Sequence, residues 1–566
     1  MEKIWNILPE VAPENSLAEI LNIPKAIANI LNQRGIKSFE EAEKFFNPCI
    51  EQLHPFSLLK DISNACERIN EAIIRKEKIL IYGDYDVDGT TSVAILYQFL
   101  CTLYSKEKID FYIPNRYTEG YGIGEKGISF AIEHNFNLVI SVDCGIKSAS
   151  LIQTALDEGI DFIICDHHLP DNEIPPAKAI LNPKQHDCNY PYKDLCGCGV
   201  TYKLITALCK FYNLDEQNHL KYLDLVAIAT AADIVSMTGE NRALAYLGLK
   251  KINQNPSPAI KAICEIAKAS YPLTITDVVF ILAPRINAAG RIDDSRKVVN
   301  LFNCNDYEEA KNIAALINND NTYRKTIDKS ITDEALQIIQ SDERQISKKT
   351  SVVYNENWSK GVVGIVASRL TETYYRPTIV LTKSGEVIAG SARSVEGFNL
   401  YEAVHGCREH LLGYGGHFAA AGLTLLPEKI KEFAEQFEKI VSETIEPEML
   451  IPKITIDSEI SFRDITLRTY KVINRMEPFG PGNMKPVFIA RNVVNGGFSK
   501  IVKEEHLKLH LIQEGIALSG IGFNLKEKAD CVLSNSPVDI VFTLDENEWN
   551  GVKSIQLKVI DIRRSA

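Results

Sequence analysis

Short, unbroken apolar runs recur after Lys78, at Ile79–Tyr82, Ile109–Ile113, Leu138–Val142, Phe162–Cys165 and Ala177–Leu181. Runs without polar alternation predict strands buried on both faces. Between most of them lie segments with helical apolar spacing, Thr91–Leu103, Glu125–His134 and Lys147–Glu158. Strand and helix alternating in this way predict a parallel α/β sheet. Upstream, periodicity through Ile20–Leu31 and Ala65–Ile74 predicts a helical lead-in. Downstream comes a helical region, then one long stretch over Asp306–Ile339. There Ile313, Leu316, Ile317, Ile327, Ile331, Leu336 and Ile339 broadly keep helical spacing. A helix of that length predicts a connector between two domains.

A second α/β unit begins at Thr350. Strands are expected at Ser351–Tyr354, Thr378–Leu381, Val387–Gly390 and Gly422–Leu426, with helices at Val362–Thr373 and Leu400–Leu412. From about Ile454 long helical patterns cease, and Lys508–Ile512, Val538–Leu544 and Ile555–Ile560 suggest a small β-barrel. The expected fold is therefore a multidomain α/β chain. It divides into a helical lead-in (1–75), a parallel-sheet domain (76–305), a connecting helix (306–345), a smaller α/β domain (346–449) and a C-terminal barrel (450–566).

Length and composition agree with several globular cores: 566 residues, 45% hydrophobic and 24% charged. No apolar run is long enough to span a bilayer, and the first residues lack a signal-peptide pattern. Thirteen cysteines at irregular spacing read as reduced thiols, which predicts a cytoplasmic protein. Cys188, Cys196 and Cys198 have the wrong spacing for a zinc motif and read as small buried hydrophobes. The net charge of −12 argues at face value against a nucleic-acid partner. From Leu450 onward, however, 16 Lys and Arg stand against 14 Asp and Glu, so the acidity lies in the body. An acidic body still binds phosphates when its carboxylates surround metal ions.

The chemistry follows the strands. Ile79–Tyr82 runs into GDYDVDG with Asp84, Asp86 and Asp88; Leu138–Val142 runs into Asp143; Phe162–Cys165 runs into Asp166, His167 and His168. In an open parallel sheet all carboxyl ends lie on one edge, where ligands bind. Each piece has a plainer reading alone, as a solvated turn, a helix cap or a surface histidine pair. Three such pieces at one edge point instead to a two-metal site, because unpaired carboxylates so close together repel. Oxygen and imidazole donors suit Mn²⁺, Mg²⁺ or Zn²⁺, and no cysteine tetrad indicates structural zinc. Paired ions serve phosphoryl chemistry. Candidate phosphate-holding groups are Arg116, Arg285, Asn287, Arg291 and Arg393, each arginine singly explicable as a surface ion pair. His417, in the glycine-rich GYGGHFAAAG, is either a loop stabiliser or a phosphate contact. A G-x-G-x-x-G run, Gly122 to Gly127, does not directly follow a strand and is set aside as a dinucleotide site.

Taken in order, GDYDVDG, DCG, DHH, APRINAAGR and GGHFAAAG resemble the DHH phosphoesterase superfamily, specifically the RecJ single-stranded-DNA exonucleases. The resemblance extends over almost the whole chain. It implies a DHH domain, a connecting helix, a DHHA1 domain and an OB-fold. It places Asp86 and Asp88 near the metals with Asp84 in the same cluster, Asp143 bridging two Mn²⁺ or Mg²⁺ ions, His167 as a ligand and His168 on or beside a metal. Asp233 in ATAADIV matches a further ligand, one that the strand ends do not reveal, and Asp166 either orients His167 or binds metal itself. Arg116, Ser391 and Arg393 match residues that hold a 5′-terminal phosphate; Arg285, Asn287, Arg291 and His417 match positions along the nucleotide path. The implied reaction is 5′→3′ hydrolysis of single-stranded DNA to 5′-mononucleotides, in repair and recombination. Implied partners are single-stranded DNA, a RecQ-type helicase and a single-strand-binding protein, with no membrane and a monomeric state. A smaller-substrate DHH phosphoesterase is the rival reading, and the C-terminal β segment counts against it.

Overall fold

The computed structural model describes residues 2–11, 17–534, 536–549 and 551–565. They divide into two compact units, one of residues 54–235 and 247–452, the other of residues 3–53, 236–246 and 453 onward. Among the described residues no helix is long and apolar enough to cross a membrane.

The first unit holds a five-stranded parallel sheet of β1 (Ile79–Tyr82), β2 (Ile109–Tyr112), β3 (Leu138–Val142), β4 (Asp161–Cys165) and β5 (Ala179–Leu181). The order is β2-β1-β3-β4-β5, so the chain reverses its direction of winding between β1 and β3. A crevice opens at such a reversal, beyond the carboxyl ends of the strands. Every residue of β1 and β3 is buried, as their unbroken apolar runs require. Helix α1 (Val87–Leu103) starts within the first acidic motif, where Asp86 caps it by accepting from the Gly89 amide. Around α1 pack α2 (Gly197–Phe211) and α3 (Leu223–Ala232).

Farther along, α4 (Ala283–Ile292) packs against α5 (Tyr307–Gln340). With 34 residues α5 is about 50 Å long. Its buried stripe changes neighbours along the way: one end lies on α4 and the other on α6 (Val363–Tyr374). That change is what the apolar spacing of the connector reflects.

The smaller sheet contains β6 (Ser351–Tyr354), β7 (Thr378–Ser384), β8 (Val387–Arg393), β9 (Gly413–Gly416) and β10 (Ala420–Leu425), in the order β9-β10-β8-β7-β6. Two of its elements have no counterpart in the sequence expectation. Strand β9 is Gly-Tyr-Gly-Gly, with no apolar alternation to signal it, and exists through pairing with β10. Helix Ile430–Thr444 buries Phe433, Phe437 and Val441 against the sheet. The expected helix Leu400–Leu412 ends early, at His405 before Gly406.

In the second unit, Phe488–Asn495, Val538–Trp549, Val552–Arg564, Ile516–Gly522 and His506–Gln513 pair in that sequence. The last pairs back with the first through Ile512 and Val494. Five strands thus close into an OB-like barrel. The N-terminal segment departs from a purely helical lead-in. Ile4–Ile7 is a strand, parallel to Lys453–Ile456, and Leu17, Ile27, Ile30 and Leu31 share a core with Phe488 and Phe542 of the barrel. Periodicity shows that a helix has a face to bury, not which core receives it.

Candidate active site

Three strand ends and one helix end meet in the first unit. Beyond β1, Asp84 is fully buried and neither carboxylate oxygen has a hydrogen-bond partner among the described residues. Asp88, in the first turn of α1, accepts from the Gly197 amide at 2.6 Å and the Cys198 amide at 2.8 Å. These are the leading amides of α2, a helix N-terminus aimed at a carboxylate. Gly197 is required there, because a Cβ would stand 2.6 Å from that of Asp143. Asp143 follows β3 in the left-handed region, at φ 59°, a conformation aspartate tolerates better than most residues. Its Oδ1 is unpartnered. Asp233 stands at the C-terminal end of α3 with Oδ2 unpartnered.

His167 lies at the centre. Its Nε2 is 3.2 Å from Asp143 Oδ1, 3.7 Å from Asp233 Oδ2 and 3.9 Å from Asp88 Oδ2. Neither ring nitrogen has a hydrogen-bond partner among the described residues. Asp166 does not orient this ring. Its Oδ1 accepts from the His167 amide (2.7 Å) and from His168 Nδ1 (2.7 Å), while Oδ2 accepts from the Ile146 amide (2.9 Å). Asp166 therefore holds the loop and fixes the ring of His168. The Tyr121 hydroxyl, 3.0 Å from His168 Nε2 and 3.2 Å from the Asp143 carbonyl, completes that arrangement. No feature of the sequence singled out Tyr121.

Burial, with repulsion from Asp88, Asp86, Asp233 and Asp84, raises the Asp143 carboxyl far above the ordinary range. Burial and Asp86 lift Asp88 to about 6. Burial, Asp88 and Asp86 lift Asp233 to about 9. Burial and His168 push His167 down to about 3. Asp166 is the exception: burial opposes ionisation, but the hydrogen bond and charge of His168 hold it at about 2. A neutral imidazole among unpaired, mutually repelling carboxylates is a donor set waiting for divalent cations. Two overlapping triads have donor atoms within 4.8 Å of one another: Asp143, His167 and His168, and Asp88, His167 and Asp233. Asp84 and Asp86 flank them. Burial pushes the nearby thiols of Cys144, Cys196 and Cys198 well up, so they stay protonated and the donors are oxygen and imidazole nitrogen. That set fits Mn²⁺ or Mg²⁺.

The same shifts predict a pH dependence. An unfolded aspartate titrates near 3.9. Asp88 and Asp233 titrate higher when folded, so the stability they contribute is complete below about 4 and is lost as pH rises through about 6 and then about 9. In EDTA the melting temperature is expected to fall between pH 5 and 9, and saturating Mn²⁺ to remove most of that slope. A melting temperature that rises with pH in EDTA would contradict the charge arrangement.

Facing this cluster within the same unit are basic groups. Ser391 and Arg393 lie at the end of β8, with Arg393 Nη1 donating to Ser391 Oγ at 2.9 Å. Gly364, in the first turn of α6, leaves room for them: a Cβ there would come within 3.0 Å of both side chains. Arg291 donates to the Gly361 carbonyl at 2.9 Å, joining α4 to the loop before α6. Burial and the neighbouring Arg116, Arg324 and Arg393 lower Arg291 to about 10. Arg116 stacks over Tyr85 at 4.7 Å and makes no ion pair among the described residues. Arg116, Arg291 and Arg393 therefore repel one another, and none of the three makes an ion pair among the described residues; Arg116 also acts on the buried Asp84, which joins this basic group to the acidic one. Arg285 is engaged elsewhere, with Asn318 of α5 and the Ile281 carbonyl. Asn287 is half-buried on α4, and His417 is exposed on the turn joining β9 to β10. The glycines from 122 to 127 surround the Tyr82 hydroxyl, which bonds Gly122 and Gly124, and open the helix Glu125–Glu133.

Residues 78–230 match the DHH family, N-terminal domain; residues 347–443 match the DHHA1 domain; residues 456–561 match the RecJ OB domain. The single-stranded-DNA-specific exonuclease RecJ of Bacillus subtilis is 37% identical over 562 residues, 98% of this chain and 70% of that protein. The chain belongs to the RecJ family. Escherichia coli RecJ is 32% identical over 95% of this chain and 96% of its own length. The crystal structure of Thermus thermophilus RecJ in complex with Mn²⁺ superimposes with a TM-score of 0.85 at 26% identity, covering 100% of this chain and 80% of that one. A manganese-bound exonuclease RecJ matches 69% of the chain at 30% identity and a TM-score of 0.61. The carboxylate–imidazole cluster, whose donors suit Mn²⁺ or Mg²⁺, is accordingly a RecJ-type metal centre, and the chain is a nuclease of that family.

Proposed function

We propose that this chain degrades single-stranded DNA from the 5′ end, releasing 5′-mononucleotides. One observation carries the reading: in one unit a buried acidic metal centre adjoins, through Asp84 and Arg116, a cluster of arginines that make no ion pair among the described residues. Arg393, Ser391 and Arg116 would grip a 5′-terminal phosphate, which sets the distance from chain end to scissile bond and hence the polarity. Asp86, Asp88, Asp143, His167 and Asp233 would hold the metals, with Asp84 beside them. When bound, the two cations supply the Lewis acidity for in-line attack of water on phosphorus and departure of the 3′ oxygen. Asp166 and Tyr121 keep the His168 ring beside the reacting phosphate. The OB-like barrel would add backbone charge and base stacking to a longer strand.

The test uses a single-stranded oligonucleotide with Mn²⁺, labelled at the 5′ end or the 3′ end, beside a duplex. Immediate release of labelled mononucleotide from the 5′-labelled strand alone is expected. Survival of long strands while di- to tetranucleotides are consumed would replace this reading with a small-substrate phosphoesterase.

A further inference from the structure

In the sheet order β2-β1-β3-β4-β5, the three inner strands run into the acidic motifs, and each edge strand is followed by a cation. Arg116 follows β2. Lys184 follows β5, in the run Leu181-Asn182-Pro183-Lys184-Gln185. Because all five strands are parallel, both cations lie beyond the same sheet edge as the metal centre, one on each flank.

The loop that carries Lys184 is firmly held. Asn182 is fully buried; its Nδ2 donates to the His168 carbonyl at 2.8 Å, and its Oδ1 accepts from the Lys184 amide at 2.8 Å. Gln185 is buried too and donates to the Ile180 carbonyl at 2.8 Å. Lys193 reaches across to the Pro183 and Cys188 carbonyls, both at 2.8 Å. All three side chains are occupied in bracing backbone. Lys184 is not: it is half-buried, and its ammonium has neither an ion pair nor a hydrogen bond among the described residues. A lysine with nothing to hold ordinarily extends its head into water. The charge of Lys184 is instead felt inside the metal centre. Burial and His168 do most to push His167 down, and Lys184 adds to them; burial, Asp88 and Asp86 raise Asp233, and Lys184 opposes them. On the other flank, burial and Asp86 raise Asp84, and Arg116 opposes them.

We infer that Lys184 is a further catalytic residue, whose ammonium contacts a non-bridging oxygen of the scissile phosphate and carries part of the negative charge that builds there during attack. The inference rests on the proposed function for the identity of that phosphate. A strand whose 5′ phosphate lies among Arg116, Ser391 and Arg393 brings its first phosphodiester to the metal centre and leaves the far flank to Lys184. A cation already placed there by the Asn182 turn needs no reorganisation when the charge develops. In the absence of a strand the same charge repels cations, so Lys184 weakens metal binding while it speeds hydrolysis.

The experiment compares the full-length chain with its Lys184→Gln variant. Hydrolysis is followed with saturating Mn²⁺ on a long 5′-phosphorylated single strand and on a dinucleotide, and Mn²⁺ affinity is measured by calorimetry without DNA. The variant is expected to lose about 10- to 100-fold in kcat with KM nearly unchanged, the worth of one charge-assisted hydrogen bond made in the transition state. Its Mn²⁺ affinity should rise about threefold, because a repelling charge has gone. Sulfur in place of the contacted oxygen, in one phosphorothioate diastereomer of the scissile linkage, should slow the parent more than the variant. An unchanged kcat, a fall in kcat and Mn²⁺ affinity together, or equal sulfur effects in the two chains would overturn the assignment. The joint fall is the mark of a residue that only shapes its loop. The exonuclease reading fails separately, when the parent cleaves the dinucleotide and spares the long strand. Lys184→Gln is then expected to show its loss on the dinucleotide, and an unchanged rate there overturns Lys184 as well.

Discussion

Asp143→Asn is expected to lower single-stranded-DNA hydrolysis about 10³-fold, equivalent to roughly 4 kcal/mol of transition-state stabilisation. The substitution isolates charge from shape. Asparagine is isosteric and also tolerates the left-handed backbone at this position, where φ is 59°. The close packing of Gly197 against this side chain is likewise preserved. What disappears is one negative charge among Asp84, Asp86, Asp88 and Asp233, the groups that with burial raise the Asp143 carboxyl. Loss of activity should therefore come with a gain in stability. At pH 8 in EDTA the variant is expected to melt higher than the parent, because asparagine avoids the cost of ionising a buried, repelled carboxyl or of protonating it on folding. Saturating Mn²⁺ should raise its melting temperature less than it raises that of the parent. A variant that loses both activity and stability would point to a structural role for Asp143 instead of a metal-holding one.

The second large effect concerns the arginine cluster. Arg393→Gln is expected to cut kcat/KM on 5′-phosphorylated single strands about 10- to 100-fold, the worth of a charge-assisted hydrogen bond of roughly 1.5–3 kcal/mol. Strands with a 5′-hydroxyl end should be affected little, so the variant should lose the parent's preference between the two ends. Folding should survive the change. Arg393 faces Arg116 and helps depress Arg291, and its bonds to Ser391 and the Ala392 carbonyl join neighbouring residues of β8. Rate measurements on the two end types, with the melting temperature as a control, decide the matter. Equal losses on both end types would show that Arg393 acts on the strand generally and does not read its terminus.

Much of this site was legible in the residues. Asp84, Asp86, Asp88, Asp143, His167 and His168 all follow uninterrupted apolar strands, and period and run length report burial directly. Given a parallel sheet, chain direction alone brings their ends to one edge. Asp233 escaped that logic because it ends helix α3, and a helix end can face any direction until its packing is known. Tyr121 and the amides of Gly197 and Cys198 escaped for a related reason. Their work depends on neighbours far away in the chain, and backbone amides have no residue type to read. Asp166 was visible but its partner was not: the ring it fixes is that of His168, a choice made by loop geometry.

The sequence by itself determined the two α/β units, the connecting helix, the barrel and the acidic motifs, because each is written in local period and residue chemistry. Tertiary structure alone decided which strands flank the crevice, that residues 3–53 share a core with the barrel, and that Arg116, Arg291 and Arg393 gather with no ion pair among the described residues. These are outcomes of long-range packing, in which an apolar face or a charge specifies what it needs to meet and leaves open which distant segment will meet it.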